Sequence, residues 1–149
     1  AYGLMYIGLF CLNGFAMYLL AREWTGSPSA ALVGGLVYGF WPYVVSRSGQ
    51  PNWIPILWLP LALLYLRRSI KKGRKRDAAW TALFVALTGI FCWQLLILAG
   101  FILGPYLLYM WLTDAACRTR RTVALLALAG LLSVALMAPL ATPLIVGHF

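Results

Sequence analysis

The uncharged stretch AAWTALFVALTGIFCWQLLILAGFILGPYLLYMWLT, residues 78–113, decides how many times this chain can cross a membrane. It has 36 residues, whereas one crossing of the ~30 Å hydrocarbon core needs about 20. The stretch is therefore too long for one ordinary crossing and tight for two full crossings.

Basic runs flank this stretch on both sides: RRSIKKGRKRD at 67–77 and DAACRTRRT at 114–122. Loops rich in Lys and Arg stay on the cytoplasmic side of a membrane, so both flanks are expected there. The stretch between them must then cross an even number of times. We predict two short helices, 78–91 and 94–113, that turn near Phe91-Cys92-Trp93-Gln94, where the Gln94 side chain can serve the turn's backbone.

Working outward, four more apolar runs complete the pattern, at about 1–21, 29–45, 51–66 and 123–146. Ser27 is suited to cap the second helix and Pro28 to be its first residue. We therefore predict an all-α, polytopic transmembrane helical bundle with about six crossings, forming a single domain over 1–149. Eleven of the twelve cations are then expected on the cytoplasmic side of the membrane, and only Arg47 outside.

The composition excludes a water-soluble globular domain. Of the 149 residues 63% are hydrophobic, and the only acids are Glu23, Asp77 and Asp114. A soluble domain of this size needs many more charges to cover its surface. The chain starts inside one apolar run and stops just after another, so we expect residues 1–149 to be a segment of a longer protein.

The residues that usually hold cofactors are few and scattered. Cys11, Cys92 and Cys117 share no close spacing, and His148 is the single histidine. These residues cannot form a CxxC site, a haem site or a zinc site within the chain, so no cofactor and no metal are expected.

Small residues recur every fourth position in three of the predicted helices. This spacing lets the backbones of membrane helices approach closely, and we interpret it as bundle packing, with a dedicated partner-binding face as the alternative. The three sets are Ala31, Gly35 and Gly39; Ala78, Ala82 and Ala86; and Gly100 and Gly104.

The first basic run has a topological role and contacts anionic lipid headgroups. It does not interleave aromatic residues with cations as a single-strand binder would, so nucleic acid is not an expected partner. The residues expected to contact lipid are Arg67, Arg68, Lys71, Lys72, Arg74, Lys75 and Arg76.

The outer loop between the second and third helices carries the strongest candidate for a ligand site. Arg47 is the only cation expected outside, with Gln50 and Asn52 close in sequence. An arginine there can hold a phosphate or carboxylate with two hydrogen bonds. The alternative is an exposed interfacial arginine. No carboxylate lies near Arg47 in sequence, so we assign no catalytic residue.

The stretch FWPYVVSRSGQPNWIPILWLPLALLYLRR, residues 40–68, resembles a segment of bacterial polytopic GT-C-type membrane glycosyltransferases. There, a Phe-Ser-Pro-Tyr step leads into a polar outer loop and Trp-Leu-Pro-Leu opens the next helix. Phe40, Pro42 and Tyr43 match the first element and residues 58–61 match the second. The upstream pairs Asn13-Gly14, Met17-Tyr18, Thr25-Gly26 and Ala30-Ala31 also fit in order, and the likeness covers about residues 1–113.

The resemblance implies transfer of a sugar from a polyprenyl phosphate at the outer face, with Arg47 against the phosphate and Gln50 and Asn52 beside it. The family commonly has histidines where this chain has Arg47 and Gln50. Its acidic catalytic residue lies in an earlier loop, which would precede Ala1. The chain is thus expected to be a membrane scaffold without a complete active site. The alternative is a non-catalytic accessory subunit of a respiratory or photosynthetic complex, with other subunits of that complex as partners.

Overall fold

A computed structural model describes residues 2–42, 46, 55–114 and 118–146. This part of the chain is all-α, as predicted, and contains no strand. Its six helices are α1 (Tyr2–Thr25), α2 (Pro28–Gly39), α3 (Trp58–Lys72), α4 (Lys75–Phe91), α5 (Trp93–Thr113) and α6 (Arg120–Val146).

The break inside the long uncharged stretch lies where it was predicted. Cys92 is extended, with φ −156° and ψ 109°, and its N–H donates to the carbonyl of Thr88 to close α4. The Cys92 thiol donates to Oε1 of Gln94 at 3.8 Å, so the Gln94 amide lies at the turn but accepts from a side chain rather than from the backbone as predicted. Residues 78–113 are therefore two helices that meet at a single extended residue.

The predicted beginning of α2 is also confirmed. Ser27 is extended and its hydroxyl accepts a hydrogen bond from the N–H of Ala30 at 3.4 Å. Pro28 is the first helical residue, where its missing N–H removes no helical hydrogen bond. The turn before this cap is tight because Gly26 adopts a positive φ of 69°.

The basic run 67–77, predicted to be a loop, is mostly helical. α3 continues past Leu66 to Lys72, and α4 begins at Lys75 rather than at Ala78. Gly73 ends α3 in the left-handed conformation, with its N–H donating to the Ser69 carbonyl. Lysine and arginine are good helix formers and are favourable at a helix C-terminus, so the charge run does not end the helix.

The second predicted loop, 114–122, is likewise shorter than expected. α6 begins at Arg120 rather than at Val123, because the Thr119 hydroxyl accepts a hydrogen bond from the N–H of Thr122 and caps the helix. Arg118 closes the end of α5 by donating to the carbonyls of Trp111 and Leu112. Arg118 therefore closes the end of α5, and Thr119 caps the start of α6.

Three helices are long and apolar enough to cross a membrane: Gly3–Thr25, Trp93–Thr113 and Arg120–Ala138. Large apolar side chains on them are open to the surroundings, such as Leu4 at 79%, Phe101 at 74% and Leu131 at 71% exposure. A surface of this kind suits lipid rather than water. α2 is apolar but has only 12 residues, which corresponds to about 18 Å.

The fourteen charged residues in the described part of the chain gather at one end of the bundle, which we call the charged end. Glu23 at the end of α1 pairs with Arg68 at the end of α3. Gly73, in the turn between α3 and α4, lies close to Arg121 at the start of α6. A Cβ added to Gly73 would be 3.3 Å from the Arg121 guanidinium. At the opposite end, which we call the uncharged end, Tyr38, Ile56 and Phe91 lie close together, and none of the charged residues that the structure describes lies there.

α3 is the central helix, and its buried residues face several neighbours. Leu63 and Leu64 pack with Leu20 of α1, while Leu66 and Ile70 pack with Met110 of α5. α4 lies against α3, α5 and α6. α2 packs against α1.

Two of the three predicted small-residue sets do pack helices together. Gly35 faces Gly14 of α1 so closely that a Cβ on it would lie 2.7 Å from the Gly14 carbonyl oxygen. Ala78, Ala82 and Ala86 are all buried, and the first two pack against Leu125 and Ala129 of α6. Close backbone approach therefore holds both helix pairs.

The third set, Gly100 and Gly104, does not fit that interpretation. A Cβ added at either position would meet nothing within 4 Å in the described part of the chain. The spacing of small residues is the same whether or not another helix covers them, so the pattern alone could not show that this face of α5 is open.

The Glu23–Arg68 pair ties α1 to α3. Nε and Nη2 of Arg68 both lie 2.6 Å from Oε2 of Glu23. The Arg68 side chain is 33% exposed and the Glu23 side chain is 26% exposed. Because the pair is partly solvated, we expect Glu23→Gln to lower the free energy of unfolding by only about 0.5–1 kcal/mol. Thermal unfolding in neutral detergent would measure this.

The control for this prediction is Arg22→Gln, which removes an exposed charge beside the pair and is expected to have no effect. The difference between the two variants should shrink in about 0.5 M salt. Equal losses in both variants, at low and high salt, would contradict a stabilising ion pair.

Candidate functional site

The residues predicted to contact phosphate, Arg47, Gln50 and Asn52, lie outside the described part of the chain. They belong to the segment between Trp41 and Pro55, and both of these flanking residues line a cavity at the uncharged end of the bundle. Both ends of the segment that contains the predicted site therefore lie at this cavity.

This apolar cavity has a volume of about 460 Å³ and lies between α2, α3, α4 and α5. That volume is within the range of ligand sites in proteins. Its walls are aromatic and aliphatic, and they are formed by Tyr38, Trp41, Pro55, Ile56, Trp58, Leu59, Thr88, Leu95, Leu98 and Ile102.

Two polar side chains in the wall are already satisfied within the protein. The Tyr38 hydroxyl donates to the Ile56 carbonyl at 2.9 Å and thereby ties α2 to the segment before α3. The Thr88 hydroxyl donates to the Phe84 carbonyl at 2.8 Å, one turn earlier in α4. Neither donor is left for a ligand, so the cavity presents an apolar surface that suits a hydrocarbon chain.

Trp58 forms the boundary between the cavity and the bundle interior. Its ring stacks on Phe84 and Phe91 of α4, with centroids 6.1 and 5.8 Å away. Its Nε1 is buried and has no hydrogen-bond acceptor in the described part of the chain. A buried donor without an acceptor is costly, so packing of the aromatic rings has to hold this indole in place.

Of the seven predicted lipid-contacting cations, four lie in the last turns of α3 and two in the first turn of α4, and Arg74 lies in the turn between the two helices. Their surroundings differ. Arg67 lies with its guanidinium 5.6 Å from the centre of the Trp24 ring, and Arg68 pairs with Glu23. The other five are exposed: Lys71, Lys72, Arg74, Lys75 and Arg76.

A second cavity, which we call the basic pocket, lies at the charged end between α1, α3 and α5. It has a volume of about 580 Å³ and is lined by Trp24, Arg67, Lys71, Tyr106, Tyr109, Met110, Thr113 and Asp114. The rings of Trp24 and Tyr106 stack with centroids 5.8 Å apart and form an aromatic wall below the cations.

The Arg68 guanidinium is held in place by its partner, Glu23. The hydrogen bond with Glu23 raises the pKa of the Arg68 guanidinium above its usual value, against the opposing effect of partial burial. Arg68 lies past the apolar part of α3, at the charged end. It is therefore committed to Glu23, whereas Arg67 has no carboxylate within ion-pair distance among the described residues.

In the described ranges, no group of three or more His, Cys, Asp or Glu residues is placed to hold a metal ion. Cys11 is exposed on α1 and Cys92 is buried at the α4–α5 turn, and neither forms a disulfide. Comparison with known protein families, with curated proteins and with solved structures gives no match. Function therefore has to be inferred from the residues of this chain.

Sequence reasoning missed both cavities. Tyr38, Trp58, Thr88 and Leu98 are far apart in the chain, and they come together only because α2, α3, α4 and α5 pack at the uncharged end. Trp58 stands in the Trp-Leu-Pro-Leu segment that was interpreted only as the start of a helix. The one available signal was the concentration of tryptophans on both sides of the polar segment.

Proposed function

We propose that the chain crosses a bacterial inner membrane six times, with the charged end in the cytoplasm. The alternation of helix ends supports this topology, because consecutive helices begin and end at opposite ends of the bundle. The positive-inside rule then assigns the eleven cations of the charged end to the cytoplasm. α2, α3 and α4 are short for a crossing, and the flanking residues have to complete their spans.

The chain serves as the scaffold of a lipid-linked sugar transferase of the GT-C type, and the apolar cavity holds the hydrocarbon part of its polyprenyl phosphate. The observation that carries this proposal is the cavity itself: about 460 Å³, apolar, and bordered by both flanks of the segment that contains Arg47. No catalytic residue is assigned to this chain.

In this arrangement the phosphate lies at the outer membrane surface, beside Arg47. A guanidinium can donate two parallel hydrogen bonds to phosphate oxygens, and the amides of Gln50 and Asn52 can donate further ones. The hydrocarbon chain then runs inward along Leu95, Leu98 and Ile102 of α5. The two parts of the ligand are thus recognised by different physical interactions.

Photo-crosslinking tests this function. We expect a diazirine-bearing polyprenyl phosphate to label the full chain in proteoliposomes, and Leu95→Trp to lower the labelling about tenfold by filling the cavity. Ile97→Trp is the matched control, because Ile97 lies two residues further along α5, is 50% exposed and does not line the cavity.

Two further comparisons complete the test. Arg47→Ala should lower labelling by polyprenyl phosphate about tenfold, and it should leave labelling by the phosphate-free polyprenol unchanged. If Leu95→Trp and Ile97→Trp label equally well, the apolar cavity is not the binding site. If Arg47→Ala affects both probes alike, Arg47 does not recognise the phosphate.

The second candidate function is a non-catalytic accessory subunit of a larger respiratory or photosynthetic membrane complex. The open face of α5 around Gly100 and Gly104 favours it, because small residues four apart on an uncovered helix suit close packing with a helix of another subunit. Co-migration with redox or pigment-bearing subunits in fixed ratio on a native gel would support this candidate. Migration of the chain by itself, without such subunits, would support the transferase scaffold.

A further inference from the structure

The basic pocket is a cavity lined by side chains, whereas most of the other basic residues of the charged end lie on the open surface. Arg67 is half-buried, and Lys71 follows it by one helical turn, so both side chains lie on the same face of α3. Neither has a carboxylate partner among the residues that the structure describes, since Glu23 pairs with Arg68. Two cations thus converge on one cavity of about 580 Å³.

The remaining walls are apolar and aromatic. Trp24 and Tyr106 stack on each other, and Arg67 lies over the Trp24 ring at 5.6 Å. Tyr109 and Met110 of α5 also line the pocket. Tryptophan and tyrosine are typical of the interface between headgroups and hydrocarbon. The pocket therefore lies at the depth where the headgroup of a lipid joins its acyl chains.

The charges of the pocket set the charge of a suitable ligand. Arg67 and Lys71 contribute two positive charges and Asp114 contributes one negative charge. The resulting net charge of +1 complements a phosphodiester, which carries a single negative charge. The Asp114 carboxylate would also repel a phosphomonoester, whose second ionisation near neutral pH adds negative charge.

We propose that the basic pocket binds the phosphodiester of an anionic glycerophospholipid, with Arg67 and Lys71 holding the phosphate oxygens. The stacked rings of Trp24 and Tyr106 contact the glycerol and the first carbons of the acyl chains. The site lies at the other end of the bundle from the apolar cavity, so it goes beyond the proposed transferase function and is independent of it. It also differs from the diffuse attraction of lipid to the other exposed cations.

Native mass spectrometry of the full chain, titrated in neutral detergent with phosphatidylglycerol or phosphatidylcholine, tests this site. We expect phosphatidylglycerol to bind about tenfold more tightly than phosphatidylcholine. The double variant Arg67→Gln, Lys71→Gln should lose this preference. The matched control Arg74→Gln, Lys75→Gln removes two exposed charges outside the pocket and should retain it to within about twofold.

The single variant Lys71→Gln, at an exposed position, keeps the test valid if the double variant folds poorly, and it should weaken phosphatidylglycerol binding about threefold. Equal losses in the pocket and control variants would mean diffuse surface attraction and would overturn the site. Glycerophosphoglycerol, the deacylated phosphodiester that corresponds to phosphatidylglycerol, serves as a water-soluble competitor. If it displaces phosphatidylglycerol at equal concentration, the ligand is a soluble phosphate ester and the lipid assignment fails; if it does not, the lipid is the ligand.

Discussion

Gly35→Leu is expected to lower the free energy of unfolding by about 3 kcal/mol, at the upper end of the range for overpacking. A Cβ at this position would lie 2.7 Å from the carbonyl oxygen of Gly14 and 3.2 Å from the Tyr18 side chain. The first contact is with backbone and cannot be relieved by a change of rotamer, so α1 and α2 would have to separate. Thermal unfolding in neutral detergent measures the loss.

The matched control is Gly8→Leu, which makes the same change on an open face of α1, where a Cβ meets nothing within 4 Å. Two smaller substitutions at neighbouring glycines provide a second comparison. Gly35→Ala should destabilise, whereas Gly34→Ala, whose Cβ makes an ordinary contact at 3.6 Å, should be neutral or slightly stabilising. Equal unfolding midpoints for Gly35→Leu and Gly8→Leu would show that α1 and α2 do not pack through these glycines.

Ala82→Leu is expected to destabilise the pair α4–α6 by about 2–3 kcal/mol. Ala82 is 1% exposed, and its carbonyl accepts a hydrogen bond from Ser133 of α6 at 3.2 Å. A leucine there has no room against Leu125 and Ala129, so it would push α6 away and break that bond. The measurement is again thermal unfolding in detergent, with tryptophan fluorescence as the signal.

Ala79→Leu is the control for this prediction, because Ala79 lies three residues earlier on the same helix and is exposed. We expect its unfolding midpoint to match that of the wild type. A second variant, Ser133→Ala, removes the hydroxyl, which lies 3.2 Å from the Ala82 carbonyl oxygen and 2.8 Å from that of Ala129, and should cost about 1 kcal/mol. If Ala82→Leu and Ala79→Leu unfold at the same temperature, α6 does not pack on the alanine face of α4.

The sequence predicted those parts of the fold that depend on local chemistry or on charge. The break at Cys92 followed from the length of the uncharged stretch and from the basic runs on both sides of it. The start of α2 followed from the capping chemistry of Ser27 and Pro28. The use of Ala78, Ala82 and Ala86 as a packing face of α4 followed from their four-residue spacing, which places them on one side of a helix.

Helix ends in the basic runs were predicted less well. Apolarity marks where a helix can contact lipid, but it does not mark where the helix ends. Lys71 and Lys72 favour the helix as much as leucine does, and Gly73, with its left-handed conformation, is the residue that stops it. The same applies to Arg120 and Arg121, which follow the cap at Thr119.

Features that depend on distant parts of the chain could not be predicted. Glu23 pairs with Arg68, which lies 45 residues away, and no pattern near Glu23 indicates this partner. The apolar cavity depends on how α2, α3, α4 and α5 pack together, and no pattern within one helix reports this packing. For Gly100, the sequence could not show which face of α5 remains open.

The central claim is that the α4–α5 hairpin crosses the membrane twice and returns to a cytoplasmic charged end. The most direct test is cysteine labelling in spheroplasts with a membrane-impermeant maleimide, after Cys11, Cys92 and Cys117 have been replaced by serine. Single cysteines are then introduced as Lys72→Cys, Gln94→Cys and Arg118→Cys. We predict that Gln94→Cys is labelled in intact spheroplasts and that the other two are labelled only after permeabilisation. Protection of all three positions in intact spheroplasts, or labelling of Lys72→Cys from outside, would contradict the claim.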